Sequence, residues 1–364
     1  MTEDKRSPLH DWHVAQGAEI MWEDGYPWVM DQGRGTKAEY EAIRTDAGIW
    51  DLFSTCKYEV TGPDAGRLIQ RRFTNAIEGM TEGSVRYGAF VNPDGTMIDD
   101  GNVYKFDHQK YWVMINTAGI DDWFRETAAG LDAQVVHRTD ELAMISIQGP
   151  KAHEVLQGLV DRDLDDLRYF RFWPEPATVA GAIGTVLRTG FSGEKGYEVV
   201  LAPEDALTVW EALIAAGATP FGLNAVDLAR TEVGLIIIAV DYNPGEISPW
   251  DLSMDRFIKA GTECVAAEAL AARGANPPKR FKSLAIEGEA APDYGAAVTK
   301  DGRLVGVVTS PANSPRVGVI GLAILDAEAA ADGDKVEVAV GDGAASAIVN
   351  PLSILDPEKS KPRA

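Results

Sequence analysis

The sequence predicts an α+β protein made of two related α+β units followed by a small all-β domain. Three observations carry that expectation. Matching strand-to-helix segments recur 87 residues apart, each unit closes on a Trp-bearing helix, and short β-type runs fill the last quarter of the chain.

In the front part, Gly62-Pro63-Asp64-Ala65 opens a segment ending in Leu68-Ile69-Gln70. Gly149-Pro150-Lys151-Ala152 opens another ending in Val155-Leu156-Gln157. In both, a β-type run (58–60, 144–147) meets Gly-Pro, and proline suits the first turn of a helix, where its missing N–H is no loss. The same offset carries Trp123 onto Trp210 and Ala128-Ala129-Gly130 onto Ala215-Ala216-Gly217. There a β run (111–115, 198–201) leads into a helix that glycine ends. Each unit reads β-α-β-β-α in outline, and the pair reads as a duplication with a cleft between its halves, where ligand pockets are favoured. Arg273-Gly-Ala-Asn-Pro-Pro-Lys-Arg280 is rich in turn formers and reads as a linker. Beyond it, runs at 282–286, 296–299, 304–309, 317–324, 335–340 and 345–349, with Asp301-Gly302 as a hairpin signal, predict a barrel or sandwich.

The 364 residues carry 34 Lys+Arg against 56 Asp+Glu, a net charge of −22. That balance argues against a nonspecific grip on nucleic acid, which needs clustered cations. The longest apolar run, 234–240, is too short to cross a membrane. The polar start, Met1 to Arg6, has no signal-peptide character, and Cys56 and Cys264 cannot build a disulfide framework. The expectation is a soluble, cytoplasmic protein. Phosphate-binding glycine loops are missing, the five histidines are scattered without metal-ligand spacing, and Gly190-Phe191-Ser192-Gly193 lacks the spacing of a nucleophile elbow. No metal is expected.

Asn92-Pro93-Asp94-Gly95 is a turn between two strands, which puts Asp99 and Asp100 inside the second. Period two sends them to opposite faces, Asp100 with Ile98, Asn102 and Tyr104, and Asp99 with Met97, Gly101 and Val103. An acid on a buried strand face needs partners or a shifted pKa, so Asp100 is a candidate functional residue. Arg188-Thr-Gly-Phe-Ser-Gly-Glu-Lys-Gly-Tyr-Glu198 is a glycine-rich loop that lets backbone approach a ligand. Glu198 at its end can accept two N–H donors from an aminopyrimidine edge. Pro220-Phe221-Gly222-Leu223 reads as a loop entering a helix that carries Arg230 and Glu232.

Taken in order, these blocks resemble the folate-dependent aminomethyltransferase (glycine cleavage T-protein) family. The others that carry the resemblance are Ser7-Pro8-Leu9-His10, His13-Val14-Ala15-Gln16-Gly17-Ala18, the block from Ala42 to Asp51, and Thr309-Ser310-Pro-Ala-Asn313-Ser314-Pro315. The resemblance implies three lobes around a folate-sized hole, with a C-terminal β-barrel. Residues 1–55 with 140–255 would form one α+β domain, 56–139 the second, 256–279 a linker region and 280–364 the barrel. By matching position it implies Asp100 as the catalytic aspartate and Glu198 as the anchor of the pterin ring. Tyr87, Tyr104 and Asn116 would line the folate pocket, and Phe191 replaces an aromatic Tyr there. The cofactor implied is tetrahydrofolate.

The departures bear on the donor. Ser54 and Thr55 stand where the family has His and Met, the family arginine is lost at Val226 while Arg230 matches one retained from the following helix, and Ile238-Ala239-Val240 replaces Leu-Tyr-Gly. They favour a tetrahydrofolate-dependent methyltransferase or demethylase acting on a small O-, S- or N-methylated donor, with Ser54, Thr55, Val226 and Arg230 near it. The alternatives are the glycine-cleavage aminomethyltransferase, which needs a lipoylated carrier protein, and a noncatalytic folate-binding assembly factor. That branch is expected to carry a cysteine in the loop from Arg188 to Glu198, which has none.

Overall fold

The computed structural model describes residues 5–23, 25–116 and 121–364. Helix α1 (His10–Ala15), the hairpin β1 (Glu19–Glu23) and β2 (Tyr26–Asp31), α2 (Thr36–Thr45) and β3 (Gly48–Asp51) precede the repeated units. The first unit runs β4 (Cys56–Thr61), α3 (Ala65–Gln70), β5 (Ser84–Val91), β6 (Met97–Lys105), β7 (Lys110–Ile115), α4 (Asp121–Thr127) and β8 (Gln134–His137). The second runs β9 (Ala143–Gln148), α5 (Ala152–Gln157), β10 (Ala177–Val179), β11 (Ala182–Leu187), β12 (Gly196–Leu201), α6 (Ala206–Ala215) and β13 (Thr219–Pro220).

The element order is the same in both units. The strands β4 and β9, and the helices α3 and α5, start and end 87 residues apart. The sheets are ordered β5-β6-β7-β4-β8 and β10-β11-β12-β9-β3-β13, so the second is the first with β3 inserted beside β9. Each unit has two strands more than the expected outline. Three of those involved, β8, β10 and β13, are four residues or fewer, too short for alternation to register in sequence.

Helices α5 and α6 cover the outer face of the second sheet through Leu156, Val209 and Trp210. Helices α3 and α4 cover that of the first through Leu68, Ile69 and Phe124. The inner faces meet over an aromatic core of Trp50, Tyr104, Trp112, Phe172 and Phe221, closed by α2 and by α7 (Leu223–Glu232).

All six expected C-terminal runs are strands. After α8 (Ala267–Gly274), the strands β14 (Lys279–Ile286), β15 (Ala297–Lys300), β16 (Arg303–Ser314), β17 (Gly318–Asp326), β18 (Lys335–Val340) and β19 (Gly343–Asn350) close in the order β14-β17-β16-β15-β18-β19. The stretch expected as a linker is ordered differently. It contains α8, and Cys264, Ala266 and Leu270 pack with Met97, Tyr242, Phe281 and Leu322 in a core where the first sheet meets the barrel.

Two buried charge networks tie the lobes together. Arg44 pairs with Glu232 at 2.6 Å and Glu194 at 3.0 Å, while Tyr40 and Ser314 of the barrel both donate to Glu232. Arg230 pairs with the buried Asp241 at 2.5 Å, and its outer edge meets the half-exposed Asp227 at 2.7 Å. Removing one partner of a buried pair costs about 3–5 kcal/mol, because it leaves an uncompensated charge in the interior.

Candidate functional site

A cavity of about 1070 Å³ opens between the two sheets, the irregular segment after α7 and the residues that follow the barrel. Asp100 stands in its wall on β6, a central strand paired with β5 and β7. Its side chain is 6% exposed. Tyr87 Oη donates to Asp100 Oδ2 at 2.7 Å, and Tyr242 Oη donates to Oδ1 at 2.6 Å. Each oxygen keeps acceptor capacity for a ligand. Burial, with the neighbouring Asp99 charge second, pushes the Asp100 carboxyl well above the usual range, against the pull of the two tyrosine bonds.

Asp99 points the other way, as strand alternation requires. It accepts from the Asn116 backbone N–H and from Asn116 Nδ2, both at 3.0 Å, and so fixes Asn116 at the cavity edge. The expected face partners are exchanged at one point. A register shift between β5 and β6 beside Phe90 and Val91 puts Met97 in the junction core and Ile98 against the core under α3.

The other pterin-site candidate, Glu198, sits on β12, also 6% exposed. It is in register with Ser146, which is in register with Trp50. Thr189 donates to its Oε2. Burial pushes its pKa up to about 7, while the Thr189 bond and the buried Lys57 pull it down. Tyr104 faces it, and burial followed by the Glu198 charge raises the phenol pKa. Phe191 lies half-buried in the wall. The loop glycines Gly190, Gly193 and Gly196 lie in the cavity wall, and each also leaves room for a neighbouring side chain. Space at Gly190 and Gly196 is taken by the Gln148 side chain, and space at Gly193 by Val233.

The cavity therefore brings together Asp100, Tyr87, Tyr104, Asn116, Phe191 and Glu198, and also Ser54 and Thr55. It does not include Val226 or Arg230, which were expected near a donor. Val226 is fully buried in the inter-sheet core, because α7 turns that face onto Trp50 and Phe221. Arg230 is fully buried too, and its guanidinium is committed to Asp227, Asp241 and Ser310.

Five contributors escape sequence reasoning. Tyr242 follows an apolar stretch without period, and nothing local ties it to Asp100. Lys57 is buried and donates to the carbonyls of Phe53 at 3.0 Å and Thr55 at 2.7 Å, holding the turn that carries Ser54 and Thr55. Burial lowers its pKa to about 8. Arg256, Lys359 and Arg363 give one end of the cavity a positive character in an otherwise acidic protein, and burial, followed by those two arginines, lowers the Lys359 pKa to about 8.

Residues 9–262 match the GCVT N-terminal domain, and residues 279–356 match the glycine cleavage T-protein C-terminal barrel domain. An aminomethyltransferase of Bacillus subtilis is 33% identical over 347 residues, covering 92% of this chain and 95% of its own. One from Streptomyces avermitilis is 36% identical over 344 residues, covering 90% and 91%. The crystal structure of glycine cleavage system aminomethyltransferase T from Bartonella henselae superposes with a TM-score of 0.86 at 21% identity, covering 98% of this chain and 99% of that one. With both family domains spanned and relatives matched nearly end to end, the chain belongs to the folate-dependent aminomethyltransferase family, that of the glycine cleavage T-protein.

Proposed function

We propose that this folate-dependent transferase moves the carbon of an aminomethyl group from the lipoyl arm of a carrier protein to tetrahydrofolate, giving 5,10-methylenetetrahydrofolate and ammonia and leaving the arm as its dithiol. The observation that carries this reading is near-full-length similarity to aminomethyltransferases, joined to a cavity with a doubly hydrogen-bonded aspartate in its wall. The family uses tetrahydrofolate, and the residues present fit it. Glu198 is an acceptor for N–H donors of an aminopyrimidine. The Asn102 Oδ1 is buried without a hydrogen-bond partner and lines the same cavity. Tyr104, Phe191 and Tyr169 supply flat apolar walls, and Arg256, Lys359 and Arg363 suit an anionic tail.

When bound, tetrahydrofolate supplies the nitrogen that accepts the one-carbon unit. The protein's share is alignment and proton handling. Tyr87 and Tyr242 fix the Asp100 carboxylate in one orientation, and burial keeps its pKa high enough to hold or release a proton near neutrality. A positioned acid or base of this kind contributes about 10²–10⁴-fold.

A second reading, methyl transfer from a small methylated donor to give 5-methyltetrahydrofolate, is favoured by Ser54 and Thr55. Both line the cavity where the family pattern has His and Met. Mass-spectrometric single-turnover assays separate the two. Methylenetetrahydrofolate and ammonia, formed only with an aminomethyl-lipoyl carrier, support the first reading. 5-Methyltetrahydrofolate from a panel of O-, S- and N-methyl donors overturns it for the second.

A further inference from the structure

The wall segment 234–239 turns sharply before Tyr242, and Ala239 adopts φ +64° to make the turn, a region that residues with a side chain seldom enter. The Ala239 N–H donates to Tyr242 O at 2.8 Å, and the Asp241 N–H donates to Ile237 O at 2.9 Å. The Asp241 side chain closes the turn from within. Its Oδ2 accepts from the Ile237 N–H at 3.0 Å and from Arg230 at 2.5 Å. Its Oδ1 accepts from Thr309 Oγ1 at 2.5 Å and Ser310 Oγ at 2.7 Å, while Ser310 Oγ accepts from Arg230 at 2.6 Å. Asp241 is 1% exposed. Both hydroxyls come from the barrel, where the register of β16 against β17 shifts between Val308 and Ser310. Such a bulge re-aims neighbouring side chains, and here two successive hydroxyls reach one carboxylate.

We propose that Asp241 is a positioning residue: Arg230 and the barrel hydroxyls of Thr309 and Ser310 fix it, and it sets the strained turn that delivers the Tyr242 hydroxyl to Asp100. The barrel is then part of the site's machinery although its strands lie outside the reacting centre. The inference concerns a contact within the substrate-free protein, so it stands apart from the choice of donor.

The groups that act on Asp100 are Tyr87 from β5 and Tyr242 from the turn by hydrogen bonds, and Asp99 on its own strand and Asp241 from the turn by their charges, with Arg256 acting on Tyr87. Asp241 therefore acts on Asp100 in two ways of opposite sign. Its charge raises the proton affinity of Asp100. By holding Tyr242 in place it lowers that affinity.

The test is a difference-infrared pH titration of the Asp100 carboxyl in substrate-free protein, with the band assigned by Asp100→Asn. Thr309→Val keeps every charge and loosens Asp241, and is expected to raise the proton affinity of Asp100 severalfold. Tyr242→Phe is expected to raise it about tenfold, the effect of losing one charge-assisted hydrogen bond. The double variant should go no further than Tyr242→Phe alone. An unchanged titration in Thr309→Val, or additivity in the double variant, overturns the proposal. Ser310→Ala, which also keeps every charge, should raise the proton affinity of Asp100 in the same direction, and no change there counts against the proposal as well. Tetrahydrofolate binding by the same preparations tests the folate reading separately.

Discussion

Two buried carboxylates, one from each sheet, stand in the wall of the cavity, and their surroundings differ. Asp100 has a tyrosine on each oxygen, whereas Glu198 has one threonine and an open edge. Asp100→Asn keeps the shape and both tyrosines but loses the ionisable group. Turnover should fall by about 10²–10⁴-fold while the dissociation constant for tetrahydrofolate stays within about threefold. Single-turnover rates and equilibrium fluorescence titration would check this, and unimpaired turnover would remove Asp100 from its role. Glu198 makes a stability prediction with a definite sign. Its folded pKa, about 7, lies above the ordinary glutamate value of 4.5, so the folded state holds a proton that the unfolded chain gives up between those pH values. Its contribution is neutral below about pH 4.5, becomes unfavourable as pH rises to 7, and stays so above. Glu198→Gln should therefore stabilise the substrate-free protein at pH 8 by on the order of 3 kcal/mol and leave it unchanged near pH 4. The same variant should bind tetrahydrofolate more weakly, since one of the two acceptors for the pterin edge becomes a donor. Thermal melts at the two pH values, with ligand titrations beside them, test both halves.

At the scale of elements, β6 shows what the sequence could and could not reveal. The turn at Asn92-Pro93-Asp94-Gly95 and period two were enough to separate Asp99 from Asp100 and to mark the second as unusual. The exchange of Met97 and Ile98 was not legible, because a bulge is a relation between two strands and leaves no local mark. Arg230 illustrates the same limit. Its place beside an altered family position suggested a pocket residue, but only tertiary packing reveals that its charge is consumed by Asp227 and Asp241. Gly101, next to Asp100, gives the element-scale prediction. A methyl group there would run into the Met114 carbonyl and the Ile115 side chain of β7. Gly101→Ala should push β6 off β7, costing about 1–3 kcal/mol, and displace the Asp100 carboxylate. A lowered denaturant midpoint together with a turnover loss is expected. A stability loss with turnover intact would show that the strand gives way at its far end instead.

The duplication, the barrel and their order were readable because each depends on short-range signals: Gly-Pro at two helix starts, glycine at two helix ends, and six β-type runs between turns. The way the lobes share one cavity was not, since it depends on buried charges such as Glu232 and Asp241 that look like ordinary helix and loop acids in the chain. That sharing has a measurable consequence. The cavity wall draws on both sheets, on the 234–239 turn and on the residues after the barrel. A folate seated there would touch every lobe, so its binding energy must appear as resistance of the whole molecule to opening. At about a hundredfold over its dissociation constant, a ligand specific for the folded state adds roughly 2.7 kcal/mol. Tetrahydrofolate should therefore raise the melting temperature in a single step. Amide exchange should slow together in β6, β12 and the 234–242 segment, with Glu198→Gln weakening all three effects alike. Protection confined to one sheet, or a melt that splits into shifted and unshifted parts, would mean that the ligand engages one lobe only and that the cavity is not the shared folate site.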